Sequence, residues 1–107
     1  MPVTAPPAVA LTTSMQTIHT CPAGVSQILG YPVNNKSLTA PATVTLEWKD
    51  ANNANTVASL LTQDIPAKDG IAPVPITLDP GDVLQGMASA NGQLTCKPQV
   101  LLEVPFA

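Results

Sequence analysis

The chain has 107 residues, of which 45% are apolar and only 10% charged, with a formal net charge of −3. That length holds one domain able to bury a core of its own and leaves no room for a second. The basic residues are Lys36, Lys49, Lys68 and Lys97, with no arginine, which argues against a nucleic-acid partner, because phosphate and guanine recognition rest on clustered positive charge and the bidentate arginine fork.

So few charges leave part of the surface weakly polar or apolar, and such surface either meets other protein or is an ordinary Thr, Asn and Gln exterior. No apolar run approaches a membrane span, and Met1 to Ser14 has no Lys or Arg ahead of an apolar segment as a signal peptide would. Folding in a cytosol is the expectation, with no membrane partner. In that compartment Cys21 and Cys96 are expected as reduced, buried small hydrophobes, a disulfide being the alternative.

Residues 1–14 carry Pro2, Pro6 and Pro7, which exclude helix and favour an extended, polyproline-like arm. A solvated tail is the bland reading of a proline-rich terminus. Val3, Val9 and Leu11 make this one more apolar than a tail needs. The arm, through Val3, Pro6, Pro7, Val9 and Leu11, is therefore the expected partner-binding segment, with residues 15–107 as the folded domain.

Met15 to Thr20 reads as a short strand, closed by the Cys-Pro-Ala-Gly turn at 21–24. Val25 to Val33 is the next strand, and Gly30 with Pro32 inside it argues for a bulge or an edge position. In the stretch 42–50, Val44, Leu46 and Trp48 alternate with Thr43, Thr45, Glu47 and Lys49, the period of two of a half-buried strand. Its Trp48 is expected to fill the largest piece of core, with the indole N–H on a backbone carbonyl.

Asp50 to Asn55 forms a hairpin loop and Thr56 to Thr62 returns as a strand, although Ala58, Leu60 and Leu61 would also fit one helical turn. Pro73 and Pro75 blunt a short edge strand ending at Leu78. Asp79-Pro80-Gly81-Asp82 is a type II turn, and Asn91-Gly92 predicts a hairpin joining Val83–Ala90 to a long last strand, 93–106, which Pro98 breaks or bulges. The total is seven or eight short strands with turns about every ten residues, an all-β antiparallel sandwich or jelly roll.

Catalytic parts are scarce. His19 is the single histidine, and nothing near it in sequence supplies a base or an orienting group. Two cysteines without flanking histidine make no zinc site. Asp79 and Asp82 are explained by bonds to local backbone N–H groups, and a weak calcium site joining them to the Asp50 loop is the alternative. Glycines follow no nucleotide-binding spacing, and three aromatic residues cannot build a sugar platform. No enzyme activity and no cofactor are expected.

Three segments together resemble small β-sandwich virion proteins of tailed bacteriophages. They are Thr-Ile-His-Thr-Cys-Pro-Ala-Gly at 17–24, Ala-Thr-Val-Thr-Leu-Glu-Trp-Lys-Asp at 42–50, and the run from Ile65-Pro66-Ala67 through Leu78-Asp79-Pro80-Gly81-Asp82-Val83-Leu84 to Ala88-Ser89-Ala90-Asn91-Gly92. Cys21 and the Cys96-Lys97-Pro98 step depart from the pattern, and residues 1–14 lie outside it. The resemblance implies a structural virion protein folded in the bacterial host cytoplasm. The first expectation is a capsid decoration, or cement, protein whose partners are the major capsid protein and copies of itself, as a dimer or trimer. The alternative is a tail or neck component, including a receptor-binding module that would use loops such as Asp50–Asn55 and Asn34–Lys36.

Overall fold

The computed structural model describes residues 6–105. They form eleven strands and no helix: β1 Val9–Ala10, β2 Gln16–Thr20, β3 Val25–Gly30, β4 Val33–Asn35, β5 Ala42–Asp50, β6 Thr56–Ile65, β7 Gly70–Ile71, β8 Ile76–Leu78, β9 Val83–Ala88, β10 Leu94–Cys96 and β11 Gln99–Pro105. All pairings are antiparallel, in sheets ordered β2-β9-β5-β6, β1-β10-β4-β7 and β11-β3-β8. The chain is all-β and sandwich-like, as its turn spacing predicts.

The last two sheets are a single sheet with a corner. Leu94 to Cys96 pair with Asn35 to Val33, and Gln99 and Val100 pair with Gly30 and Leu29 in the same register. Across the gap Lys97 N–H donates to Pro32 O at 3.0 Å. β10 and β11 are thus one strand bent at Lys97–Pro98, lying against β3 and β4, one strand bent at Tyr31–Pro32. Proline cannot donate to a ladder, so both strands turn where a proline sits. β7 and β8 follow the same corner on the far side, one residue out of step. Joined across their bends, the eleven segments become eight longer runs, one of them β1 from the expected arm, against the seven or eight that the turn signals imply.

Alternation works as predicted along β5, where Ala42, Val44 and Leu46 are buried and the residues between them are not. Opposite them, Leu84 and Ala88 of β9 also face inward, with Gly86 between them. A Cβ on Gly86 would lie 2.6 Å from Leu46 Cδ2 and 2.9 Å from Ile18 Cδ1, so the glycine lets these two side chains fill one place. Leu29, Val33, Leu78, Leu94 and Cys96 from the bent sheet complete the same core.

Four expectations need correction. Trp48 is only half-buried and packs at the margin of the core, and its indole N–H donates to the Asp82 carboxylate at 3.2 Å rather than to a carbonyl. Gly30 and Pro32 mark a corner, and β3 and β4 are central strands. Asn91-Gly92 does not close a hairpin between neighbours, since β9 and β10 belong to different sheets. Gly92, at φ +69°, instead passes the chain from one layer to the other, where its N–H and the Asn91 Oδ1 bond Leu11 O and Thr13 N.

The fourth concerns the arm. Val9 and Ala10 pair with Cys96 and Thr95 of their own chain, Leu11 N–H donates to Leu94 O at 2.9 Å, and the Leu11 side chain is fully buried. Residues 9–11 therefore belong to the domain, so the expected boundary at residue 14 falls too late. Hydrophobic burial of Leu11 outweighs the extended preference of the prolines before it. Val3 and Phe106 lie outside the described residues.

Candidate interaction surface

Among the described residues β11 is an edge strand, paired with β3 on one flank only. Leu102 and Val104 pair with Ile28 and Ser26, which alternate with the buried Gln27 and Leu29, so they stand on the outer face of the sheet. An extra residue between Val100 and Leu102 makes a bulge. That residue, Leu101, lies over Gly30, where an added side chain would touch its Cδ1 at 3.6 Å. Leu101, Leu102 and Val104 are 55%, 52% and 44% exposed. Edge strands are commonly kept from pairing by lysines, prolines and bulges. β11 has the bulge and a terminal Pro105 but no lysine, and three large apolar side chains in water.

These residues were not among the sequence candidates. The signal was the Leu101-Leu102 doublet, since two adjacent apolar residues in a strand cannot both face the core without a bulge. Of the arm residues that were candidates, Pro6 is half-buried and Pro7 exposed, while Val9 and Leu11 are held by the chain's own β10 and core. The β5–β6 hairpin offers a second exposed region. Residues Thr56 to Ser59 are exposed in succession, so both faces of that end of β6 meet solvent, and Val57 is 47% exposed.

Beneath the β11 edge runs a chain of polar side chains that ties the two layers. A bulge between Thr17 and His19 sets the buried Ile18 beside a half-buried His19, whose Nε2 lies 2.7 Å from Gln27 Oε1. Gln27 Nε2 donates to Glu103 Oε1 at 2.7 Å. The carboxylate accepts only, so the amide must turn its NH2 toward Glu103 and its oxygen toward His19, which makes Nε2 the protonated nitrogen of the ring. A glutamine between the imidazole and the carboxylate carries no net charge between them. It orients side chains across the sandwich and leaves the histidine with no nucleophile in its hydrogen-bond set.

Both thiols are free and buried. Burial pushes the Cys96 thiol up to about 12. Cys21 is raised as well, first by burial and then by the Asp82, Asp79 and Glu103 carboxylates, and its Sγ donates to Val25 O and Leu78 O. Thiols that stay protonated and enclosed are neither nucleophiles nor ligands. Asp82, fully buried, holds three N–H groups: Trp48 Nε1, Asp79 N at 3.0 Å and Ala51 N at 2.9 Å. Asp79 accepts from Ser26 Oγ. The carboxylates of the Asp79–Asp82 turn are thus spent on donors of the chain itself, and among the described residues no cluster of three acidic, His or Cys side chains is placed to hold a metal ion. A small open depression lined by Pro41, Ala42, Thr43, Asp64 and Ser89 lies away from all of these groups.

Compared with known proteins, the chain matches no protein-family model, no curated protein and no solved structure.

Proposed function

We propose that the chain is a structural virion protein, a capsid decoration protein that binds an assembled shell and copies of itself through exposed sheet edges. The observation that carries the reading is β11, which among the described residues is an edge strand paired on one flank, with exposed Leu101, Leu102 and Val104. Such an edge gains main-chain hydrogen bonds and apolar burial from a partner strand. Summed over many copies, even modest contacts hold a shell together. The assignment to a phage particle rests on the sequence resemblance. Buried inert thiols and a histidine engaged with an amide agree with a role that requires no chemistry.

The tail-associated reading draws on a different feature, the β5–β6 hairpin with its exposed residues 56–59 and the Asp50–Asn55 loop at its tip. Counting copies in purified particles by quantitative mass spectrometry separates the two. A decoration protein is present in hundreds of copies. A handful per particle would replace it by the tail reading, and absence from the particle would overturn both.

A further inference from the structure

The flank of β11 that no described residue pairs with is the same sheet edge that β1 occupies. β10 and β11 share one register on β4 and β3, so their opposite flanks are also continuous. β1 covers that flank only at Thr95 and Cys96, and Leu11 extends the cover to Leu94. From Gln99 to Pro105 nothing among the described residues covers it. Carried backward in its own register, the β1 strand would set Pro7 against Pro98, residue 5 against Val100, and the residues before it along Leu101 to Val104.

We infer that the β11 edge accepts the N-terminal segment, residues 1–5, of a second copy of this chain. This deepens the assembly reading and rests on it. The chain's own segment is poorly suited to the place. Pro7 and Pro98 would meet with no N–H on either side, so the ladder lapses there, and the observed strand indeed starts at Val9. Pro6-Pro7 also favour the stiff polyproline geometry, which does not follow the bend at Lys97–Pro98. A segment whose pairing along its own sheet is interrupted at Pro7 and Pro98 can reach the identical edge of a neighbour. Exchange between copies then fills every edge, as strand addition in a closed oligomer requires. Val3 and Met1 meet an edge whose exposed side chains are Leu101, Leu102 and Val104, an apolar match.

Two variants, Val3→Cys and Leu102→Cys, are purified separately, mixed, and oxidised; the native thiols are enclosed and do not compete. The expected product is a disulfide-linked pair containing one chain of each kind. Light scattering of the full chain should give an oligomer, and deletion of residues 1–5, which spares β1 and Leu11, should reduce the mass to that of a monomer with an unchanged β spectrum. An intrachain disulfide in the Val3→Cys/Leu102→Cys double variant of a monomeric protein would overturn the inference, as would an oligomer indifferent to the deletion. Either failure leaves the copy number in particles unaffected, so it is separable from failure of the decoration reading.

Discussion

Asp82, expected to bond local backbone N–H groups, also takes the Trp48 indole N–H that was expected on a backbone carbonyl. Its two oxygens satisfy the indole N–H, the Asp79 N–H and the Ala51 N–H, so one side chain fastens the type II turn, the β5–β6 loop and the margin of the core. The turn itself reads plainly from Pro80 and Gly81, with Gly81 at φ +85° and Asp82 N–H on Asp79 O at 3.0 Å. The long-range donors do not, because nothing local in a sequence says which loop from thirty residues away will bring its N–H. Asp82→Ala strands three partly or fully enclosed donors, each worth about 1–3 kcal/mol when left unpaired. Urea unfolding should show a loss of at least about 3 kcal/mol, and a loss under about 1 kcal/mol would show that water replaces the carboxylate. Cys96 gives a prediction in pH. Its folded thiol is raised to about 12 from an ordinary 9.0. The unfolded chain therefore sheds this proton first, and the stabilisation is complete below pH 9 and lost as pH rises toward 12, at up to about 1.4 kcal/mol per pH unit. Cys21 and Tyr31, raised mainly by burial, act in the same direction. Chemical denaturation between about pH 8 and pH 11 should show a shallower decline for Cys96→Ala than for the native chain; equal slopes would contradict the enclosed thiol.

Among the elements, β5 was legible from its alternation and β6 in part from the Asp50–Asn55 loop, being read as Thr56–Thr62 with a helical turn as the alternative where the strand runs on to Ile65. The corner strands were not. Gly30, Pro32 and Pro98 announce an interruption, but whether a strand ends, bulges or bends depends on its partner, and here each proline corner lies beside the other. For the same reason the partner of the last strand was misassigned. Asn91-Gly92 permits a tight turn, but the inward-facing Leu94 and Cys96 are needed in the opposite layer from Leu84 and Ala88. The N-terminal residues show the conflict most sharply. Local preference favours an extended arm through residue 14, while burial of one side chain, Leu11, draws the strand into the domain at Val9. Leu11→Ala should cost about 2–5 kcal/mol, the range for a buried leucine truncated to alanine. Thermal and urea unfolding measure it, and a cost near zero would return residues 9–11 to the arm.

At the scale of the molecule, a low-charge β-domain exposes Leu101, Leu102 and Val104 along one sheet edge. Among the described residues every buried side-chain polar atom has a partner. The proposed interaction surface was half legible. Composition predicts apolar surface, since ten per cent of charged residues cannot cover a domain of this size. The exposed residues of β11 depend on a bulge that the Leu101-Leu102 doublet hints at and the register with β3 fixes. The central claim is that this edge is where the protein joins an assembly. Reconstruction of purified particles by cryo-electron microscopy tests it directly. The account predicts copies on the shell with Leu101 to Val104 buried against a neighbouring strand. Copies confined to the tail, or shell copies with β11 open to solvent, would contradict it.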